Sequence, residues 1–383
     1  MTVNQTGLDE SVRITGFETF HVKPRWLFLK VSTNAGICGW GEPVLEGRAR
    51  TVETAVHEIG RSLKGRNPFE IEALWQEMYR GSFYRGGPIL TSAISGIEQA
   101  LWDIKGKALG VPVYELLGGA VRKKVRLYAW MPGASVGDYV EQAVETRSKG
   151  GFTAFKLVPL PALRAIESPA AIDRIVQNVA RVREELGWET DLCLDFHGRA
   201  RLGVARTLIR ELEALKPTFI EEPVLPENLE ALRQLRASTS IPLACGERLF
   251  TRWAFRDLIR EHLVDLIQPD LSHVGGIFEA RKLAAMAETE EICLAPHCPL
   301  GPIALAACLQ LAACTPNFFC QEHMTLGEGL LKQPFIAQEG HVEIGPKPGL
   351  GIELDEDAVR SQAFDGTWEI PRLSLEDGSF AEW

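Results

Sequence analysis

The chain has 383 residues, 45% of them hydrophobic and 24% charged, with a formal net charge of −10. That composition suits a globular protein with a sizeable core, in one very large domain or two ordinary ones. The acidic balance and the lack of any basic block argue against nucleic acid or an anionic membrane as the main partner, and leave an anionic small molecule open.

There are eight cysteines and no Cys-x-x-Cys. Cys193, Cys245 and Cys293 sit within short apolar runs, and Cys298, Cys308, Cys314 and Cys320 lie in or beside apolar stretches. Reduced core thiols in a cytoplasmic protein are the expectation. The N-terminus shows no signal-like apolar segment, and no apolar run is long enough to span a bilayer.

The first ten residues are polar and are expected to fray. Residues 11–45 read as strands: Val12–Phe17 alternates, Trp26–Val31 is apolar, and Asn34-Ala35-Gly36 marks a hairpin turn. Residues 47–62, 67–80 and 91–109 carry helical periodicity. The opening block, 1–124, is therefore an α+β unit.

From residue 125 the rhythm changes. Eight short apolar runs alternate with amphipathic stretches such as Ala170–Leu186 and Val204–Leu215. The runs are Val125–Trp130, Phe152–Val158, Asp191–Leu194, Thr218–Ile220, Ile241–Ala244, Leu263–Ile267, Ile292–Ala295 and Phe318–Cys320. This is the sequence form of an α/β fold, a (β/α) barrel over 125–354. A doubly wound sheet would want a Gly-rich dinucleotide loop after an early strand, and none is present. The polar stretch 355–383 holds no ninth unit and is expected to return to the first block.

Barrel enzymes place their chemistry just past the C-terminal ends of strands. Seven of the eight runs end near a polar or ionisable residue: Lys156, Asp195 with His197, Glu221 with Glu222, Glu247, Asp270, His297 and Glu322. Asp195, Glu221 and Glu247 are spaced by 26 residues each, close to one βα unit of about 30 residues. Three neighbouring acids repel without a cation between them, and oxygen-only ligands suit Mg²⁺. Unrelated surface acids are the competing reading, and regular placement at strand ends argues against it. His297 follows the seventh strand, and Asp270, ending the sixth, can hydrogen-bond its imidazole and raise its basicity. His197 could be a metal ligand, but with three carboxylates available an acid/base role is preferred.

These segments resemble the enolase superfamily, in its mandelate-racemase-like branch. The resemblance rests on Leu194-Asp195-Phe196-His197-Gly198-Arg199, Phe219-Ile220-Glu221-Glu222-Pro223, Cys245-Gly246-Glu247-Arg248, Gln268–His273 and Ala295-Pro296-His297. It is similar over nearly the whole chain to the D-galactonate dehydratase family, including Phe83–Pro88 and the stretch Glu376–Trp383. The resemblance implies a hydro-lyase that uses one Mg²⁺ per subunit to turn a sugar acid, D-galactonate first, into its 2-keto-3-deoxy product. It implies that His297 with Asp270 removes the C2 proton, that His197 protonates the departing C3 hydroxyl, and that Glu322 hydrogen-bonds to the enediolate oxygen. It also implies a modified TIM barrel capped by the N-terminal block together with 355–383. Loops near His21–Trp26 and Gly81–Gly87 would close over substrate, with Arg25, Tyr84, Arg85 and Lys156 as candidate substrate contacts. By analogy alone, the chain would form a homo-oligomer.

One element departs from the pattern. Related sugar-acid dehydratases carry Lys-x-Asn after the second strand, and this chain has Lys156-Leu157-Val158, followed by Pro159-Leu160-Pro161-Ala162-Leu163. Val158 offers no polar contact, which opens the choice of aldonic or aldaric acid. A racemase or epimerase on the same scaffold would need a second base. Val158 breaks the Lys-x-Lys form of that base, although Lys156 alone could serve. A non-catalytic binding protein would be expected to have lost a ligand or base, and none is lost.

Overall fold

The computed structural model describes residues 8–133 and 135–383. The fraying expected at the N-terminus falls largely on residues 1–7, outside that range. The first block opens with an antiparallel sheet of β1 (Ile14–Val22), β2 (Trp26–Thr33) and β3 (Cys38–Gly41). Gly36, at φ +76, takes the left-handed turn between β2 and β3 that other residues disfavour. Helices α1 (Ala49–Leu63), α2 (Ile71–Arg80), α3 (Pro88–Leu109) and α4 (Val113–Leu116) follow. Pro88 opens α3 where its missing N–H costs nothing, and left-handed Gly110 closes it.

The second part alternates strand and helix: β4 (Lys124–Trp130), α5 (Val136–Gly150), β5 (Ala154–Leu157), α6 (Pro169–Leu186), β6 (Asp191–Asp195), α7 (Leu202–Leu212) and β7 (Phe219–Glu221). It continues with α8 (Leu229–Arg236), β8 (Leu243–Cys245), α9 (Thr251–Arg260), β9 (Leu266–Ile267), α10 (Ile277–Glu288), β10 (Cys293–Leu294), α11 (Pro302–Cys314) and β11 (Gln321–His323). Strands β4 to β10 are parallel neighbours in order. A Leu294–Phe318 bridge and the parallel pairing of β11 with β4 close the barrel. A hairpin of β12 (Ala337–Gln338) and β13 (His341–Glu343) pairs antiparallel with the start of β4. The last strand thus lies slightly later than the Phe318–Cys320 run. Phe318 only bridges to β10, and the chain meets β4 from Gln321 onward.

Side chains alternate along each strand. Leu192, Leu194, Ile220, Leu243 and Ile267 join the main core, while Cys193, Phe219, Ala244, Leu266 and Ala295 form a separate small cluster, an inner layer of the barrel. The next inner positions on β6 and β7 are Asp195 and Glu221, which are direct register partners. The alternation that fills the barrel therefore also aims these carboxylates at its mouth.

Cap and barrel are joined by a buried polar face on α3. Glu98 accepts from the N–H groups of Ile277 and Phe278 at 2.8 and 2.9 Å, and from Trp102 Nε1 at 2.7 Å. It thereby caps the N-terminus of α10. Ser95 Oγ accepts from Gly275 N, Gln99 donates to the Leu271 carbonyl, and Ser92 Oγ lies 2.9 Å from His273 Nδ1. Glu42, in the cap, does the same for α11, accepting from Gly301 N and Ala304 N at 2.7 and 2.9 Å. Residues beyond β13 return to the cap. Helix α12 (Glu356–Ser361) lies beside β1, and Val22 bridges Ala363.

The Glu98 contact needs glycine opposite it. Gly276 has φ +97, and a Cβ there would stand 2.1 Å from Glu98 Oε2. Gly276→Ala is expected to destabilise the protein by about 2 kcal/mol or more. Glu98→Gln, which sets an NH₂ donor against backbone N–H donors, is expected to cost about 1–3 kcal/mol. Urea denaturation midpoints check both, and wild-type midpoints would contradict the capping role.

Candidate active site

A cavity of about 1630 Å³ opens at the C-terminal ends of the barrel strands. Its lining includes Arg25, Lys156, Val158, Asp195, His197, Glu247, His273, His297 and Glu322. Each comes from a strand or the loop just after it, except Arg25, which the cap supplies from the turn before β2.

Four carboxylates converge here. Asp195, Glu221 and Glu322 are buried strand residues, and Glu247 follows β8 after Gly246, which turns the chain at φ +143. Burial, and then the neighbouring Asp195 charge, push Glu221 up to about 8. Burial raises Glu247 to about 7, with Asp195 contributing, although His297 pulls the other way. For Asp195 burial works upward too, but the adjacent His197 and Lys156 hold it below the ordinary carboxylate range. So many buried acids in one place require cations.

Lys156 is one such cation. Its Nζ stands 3.0 and 3.1 Å from the two oxygens of Glu221, 2.7 Å from Glu322 and 3.6 Å from Asp195. Burial opposes its charge, yet Glu221 and Glu322 together raise its pKa well above that of an ordinary lysine. Lys156 thus stands in the cavity as an ammonium committed to carboxylates.

His297 is the second. Its Nδ1 is 2.8 Å from Asp270 Oδ2, and its Nε2 is 3.2 Å from Glu247 Oε2. Burial works against protonation of the ring, but Glu247 and the Asp270 hydrogen bond win and raise its pKa well above the usual value. Asp270 is fixed in turn, accepting from Ser272 N at 2.7 Å. The Asp–His pair expected from sequence is therefore formed, with Nε2 as the ring nitrogen facing the carboxylates.

His197 sits at φ +51, a left-handed conformation that costs energy outside glycine. Its backbone N–H donates to Asp195 Oδ1 at 2.9 Å, and its Nε2 lies 2.9 Å from Asp195 Oδ2. That second contact has ion-pair distance without hydrogen-bond alignment, and Oδ2 is left as a buried oxygen lacking a hydrogen-bond partner. On the far side Arg199 Nη2 lies 3.4 Å from Nδ1. A guanidinium only donates, so this side of the ring favours the tautomer with its proton on Nε2.

These donors fit a hard divalent cation. Among the described residues, Asp195, His197 and Glu247 offer ligand atoms within 4.8 Å of one another. The unpartnered Oδ2 of Asp195 and the raised Glu247 mark where positive charge is wanted. Glu221 lies beside them, but both its oxygens are engaged by Lys156. His197 thus stands in the compact cluster in the place where sequence spacing puts Glu221.

Glu322 accepts from Cys298 N at 2.8 Å as well as from Lys156, which points it into the same space as His297. Arg25 donates to the Pro299 carbonyl at 3.1 Å and stacks on Trp368. Tyr84 and Arg85 are not part of the cavity lining. Tyr84 is 81% exposed and packs edge-on against Phe83, while Arg85 lies over the Tyr79 ring. Sequence reasoning missed His273, Arg199, Arg248, Glu46 and Trp383, all of which line the cavity. His273, Arg199, Arg248 and Trp383 fall within the matching segments, but nothing in one dimension places Trp383 beside His197.

Comparison with known proteins agrees with this architecture. Residues 138–358 match the enolase C-terminal domain-like family, and residues 10–118 match the mandelate racemase/muconate lactonizing enzyme N-terminal domain. The chain is 51% identical to a D-galactonate dehydratase of Variovorax paradoxus, over 97% of its own length and all of the relative's. It is 50% identical, with the same coverage, to a D-galactonate dehydratase of Xanthomonas oryzae. Among solved structures, a mandelate racemase/muconate lactonizing enzyme-like protein from Rubrobacter xylanophilus superposes with a TM-score of 0.87 at 34% identity, covering 94% of this chain and 99% of that one. A member of the enolase superfamily from Salmonella Typhimurium gives a TM-score of 0.85 at 29% identity, covering 91% and 98%. With cap and barrel both matched and full-length relatives at half identity, the chain belongs to the enolase superfamily, in its mandelate racemase/muconate lactonizing enzyme branch.

Proposed function

We propose that this chain is a Mg²⁺-dependent sugar-acid dehydratase, with D-galactonate as the first substrate to test and 2-dehydro-3-deoxy-D-galactonate as its product. The observation that carries the reading is the pair of histidines set against one carboxylate cluster, His297 on Glu247 and His197 on Asp195. Full-length relatives named D-galactonate dehydratase support the choice of substrate.

Asp195, Glu221 and Glu247 are the residues proposed to hold the metal, with Glu221 freed when Lys156 stays on Glu322 alone. Mg²⁺ bound there supplies Lewis-acid stabilisation of the substrate carboxylate as negative charge develops on it. With Glu247 given over to the metal, His297 would lose the carboxylate that most favours its charged form and stand neutral at Nε2, from which, its Nδ1 tied to Asp270, it takes the C2 proton. His197, entering as the imidazolium, gives its Nε2 proton to the C3 hydroxyl and becomes neutral, the C3–O bond breaks, and water leaves. The enol that remains tautomerises to the 2-keto acid, His297 releases the C2 proton to solvent, and solvent restores the proton on His197. Glu322 is proposed to face the developing oxygen, with the Lys156 ammonium that it holds as the hydrogen donor to that oxygen. Arg25 and Lys156 are proposed to orient the substrate. The cap 1–124, the barrel 125–354 and the returning segment 355–383 are proposed as the working units.

A racemase would need a second base opposite His297. Lys156, the remaining candidate, is an ammonium held between Glu221 and Glu322, which favours dehydration. Among the described residues no helix is long and apolar enough to cross a membrane. The eight unpaired cysteines support a reducing, cytoplasmic setting. By analogy with its relatives alone, the chain is proposed to form a homo-oligomer.

Purified protein with Mg²⁺, screened against C4–C6 aldonic and aldaric acids, is expected to yield a 2-keto acid from D-galactonate. Turnover of non-sugar acids only would remove the dehydratase reading. His297→Asn is expected to lower turnover by about 10²–10⁴-fold and to abolish exchange of the C2 proton with solvent. Near-normal exchange in that variant would refute the base assignment. EDTA treatment is expected to abolish turnover, with recovery on adding Mg²⁺. Asp195→Asn is expected to weaken Mg²⁺ binding at least about tenfold in calorimetry, and unchanged binding would place the metal elsewhere.

A further inference from the structure

Beyond α12 the chain crosses the barrel mouth, and Trp368 through Trp383 contribute much of the cavity wall. This stretch has its own turn. Ser374 bridges Phe380, Leu375 N donates to Ser379 O at 2.8 Å, and Ala381 N donates to Leu373 O at 3.0 Å. Asp377 closes the turn, accepting from the Ser379 N–H and hydroxyl at 2.9 and 2.6 Å.

The turn delivers Trp383 to one place. Its ring centroid lies 5.1 Å from that of the His197 imidazole, inclined at 32°. Two arginines from the loop that carries His197 hold it there. The Arg199 guanidinium lies over the indole at 5.9 Å, and Arg201 Nη2 pairs with Glu382 Oε1 at 3.1 Å.

We propose that Trp383 is a positioning residue that holds the His197 imidazole in the orientation from which it protonates the departing hydroxyl. The proposal rests on the acid role given to His197 above. Without the indole, the ring has two polar neighbours: Asp195 Oδ2, out of hydrogen-bond alignment, and Arg199 at 3.4 Å. Neither is the short, aligned hydrogen bond that ties His297 to Asp270. An aromatic face limits the ring to tilted or stacked arrangements. Trp383 remains 44% exposed, so its contact with His197 is not the by-product of a sealed core. His297 has a buried carboxylate of its own, Asp270, and needs no such support.

This separation makes the test. Full-length protein with Mg²⁺ and the sugar acid turned over in the screen above is incubated in D₂O. NMR then follows two signals, deuterium at C2 of recovered substrate and formation of 2-keto acid. Trp383→Ala is expected to slow product formation by about ten- to hundredfold while C2 exchange continues, with KM little changed. Trp383→Phe, which keeps an aromatic face, is expected to recover most of the loss. Parallel loss of exchange and product in Trp383→Ala, a rise in KM at unchanged kcat, or no recovery in a Trp383→Phe variant that melts like wild type would each overturn the proposal. His197→Asn is the control. If it keeps exchange and loses product while Trp383→Ala behaves as wild type, Trp383 alone is misassigned. If His197→Asn dehydrates normally, the acid assignment falls and takes the Trp383 proposal with it.

Discussion

The contact on which the rest of the structure depends is the polar face of α3 against the loop that follows β9. A helix buried on nearly every side would ordinarily be apolar. Here Ser92, Ser95, Glu98 and Gln99 are buried, and each finds a partner between Leu271 and Phe278. Leaving any of them unpaired in that setting would be costly. The cap therefore accepts one seating on the barrel, and that seating fixes the loop carrying Asp270. The Asp270 carboxylate in turn sets the ring orientation of His297. A structural contact between two domains thus ends, four links later, at the nitrogen proposed to take the substrate proton.

Inside the barrel the organising problem is negative charge. Asp195, Glu221, Glu247 and Glu322 share one end of the cavity, and burial drives Glu221 and Glu247 well above their ordinary pKa. Lys156, His197 and His297 divide the compensation among them. Lys156 engages Glu221 and Glu322, His297 engages Glu247, and His197 lies against Asp195. This arrangement gives the two histidines different surroundings. The first is locked by a buried carboxylate behind it. The second is strained at φ +51, flanked by an arginine, and roofed by an indole. Such asymmetry is what a base and an acid acting on one substrate require.

Much of this was legible in the residues. Short apolar runs between amphipathic stretches located seven of the eight barrel strands, because each must bury one face inward and one toward the helices. The equal spacing put Asp195 and Glu221 at the same height at their strand ends, and the register of β6 and β7 sets them side by side there. Equal spacing alone does not place Glu247, which lies beyond β8 and reaches the site through the turn at Gly246. Equal steps in sequence also said nothing about Lys156 as an internal counter-ion, so the compact cluster contains His197 in place of Glu221. The last strand came later than its apolar run, since closure with β4 and not hydrophobicity decided where pairing began. Trp383 was beyond reach for a different reason. Its partner lies 186 residues earlier, and only the folded tail brings the indole to His197. Val158 lines the cavity, as its position after β5 suggested, and leaves an apolar wall there.

The central claim is that carboxylates hold the metal and leave His197 free to carry a proton. Pulsed electron paramagnetic resonance of the Mn²⁺-loaded protein reads this directly, because a histidine ligand imprints ¹⁴N modulation on the manganese signal. Carboxylate-only coordination by Asp195, Glu221 and Glu247 predicts no directly bound ¹⁴N. A strong ¹⁴N coupling that disappears in His197→Asn would make His197 a ligand and contradict the account.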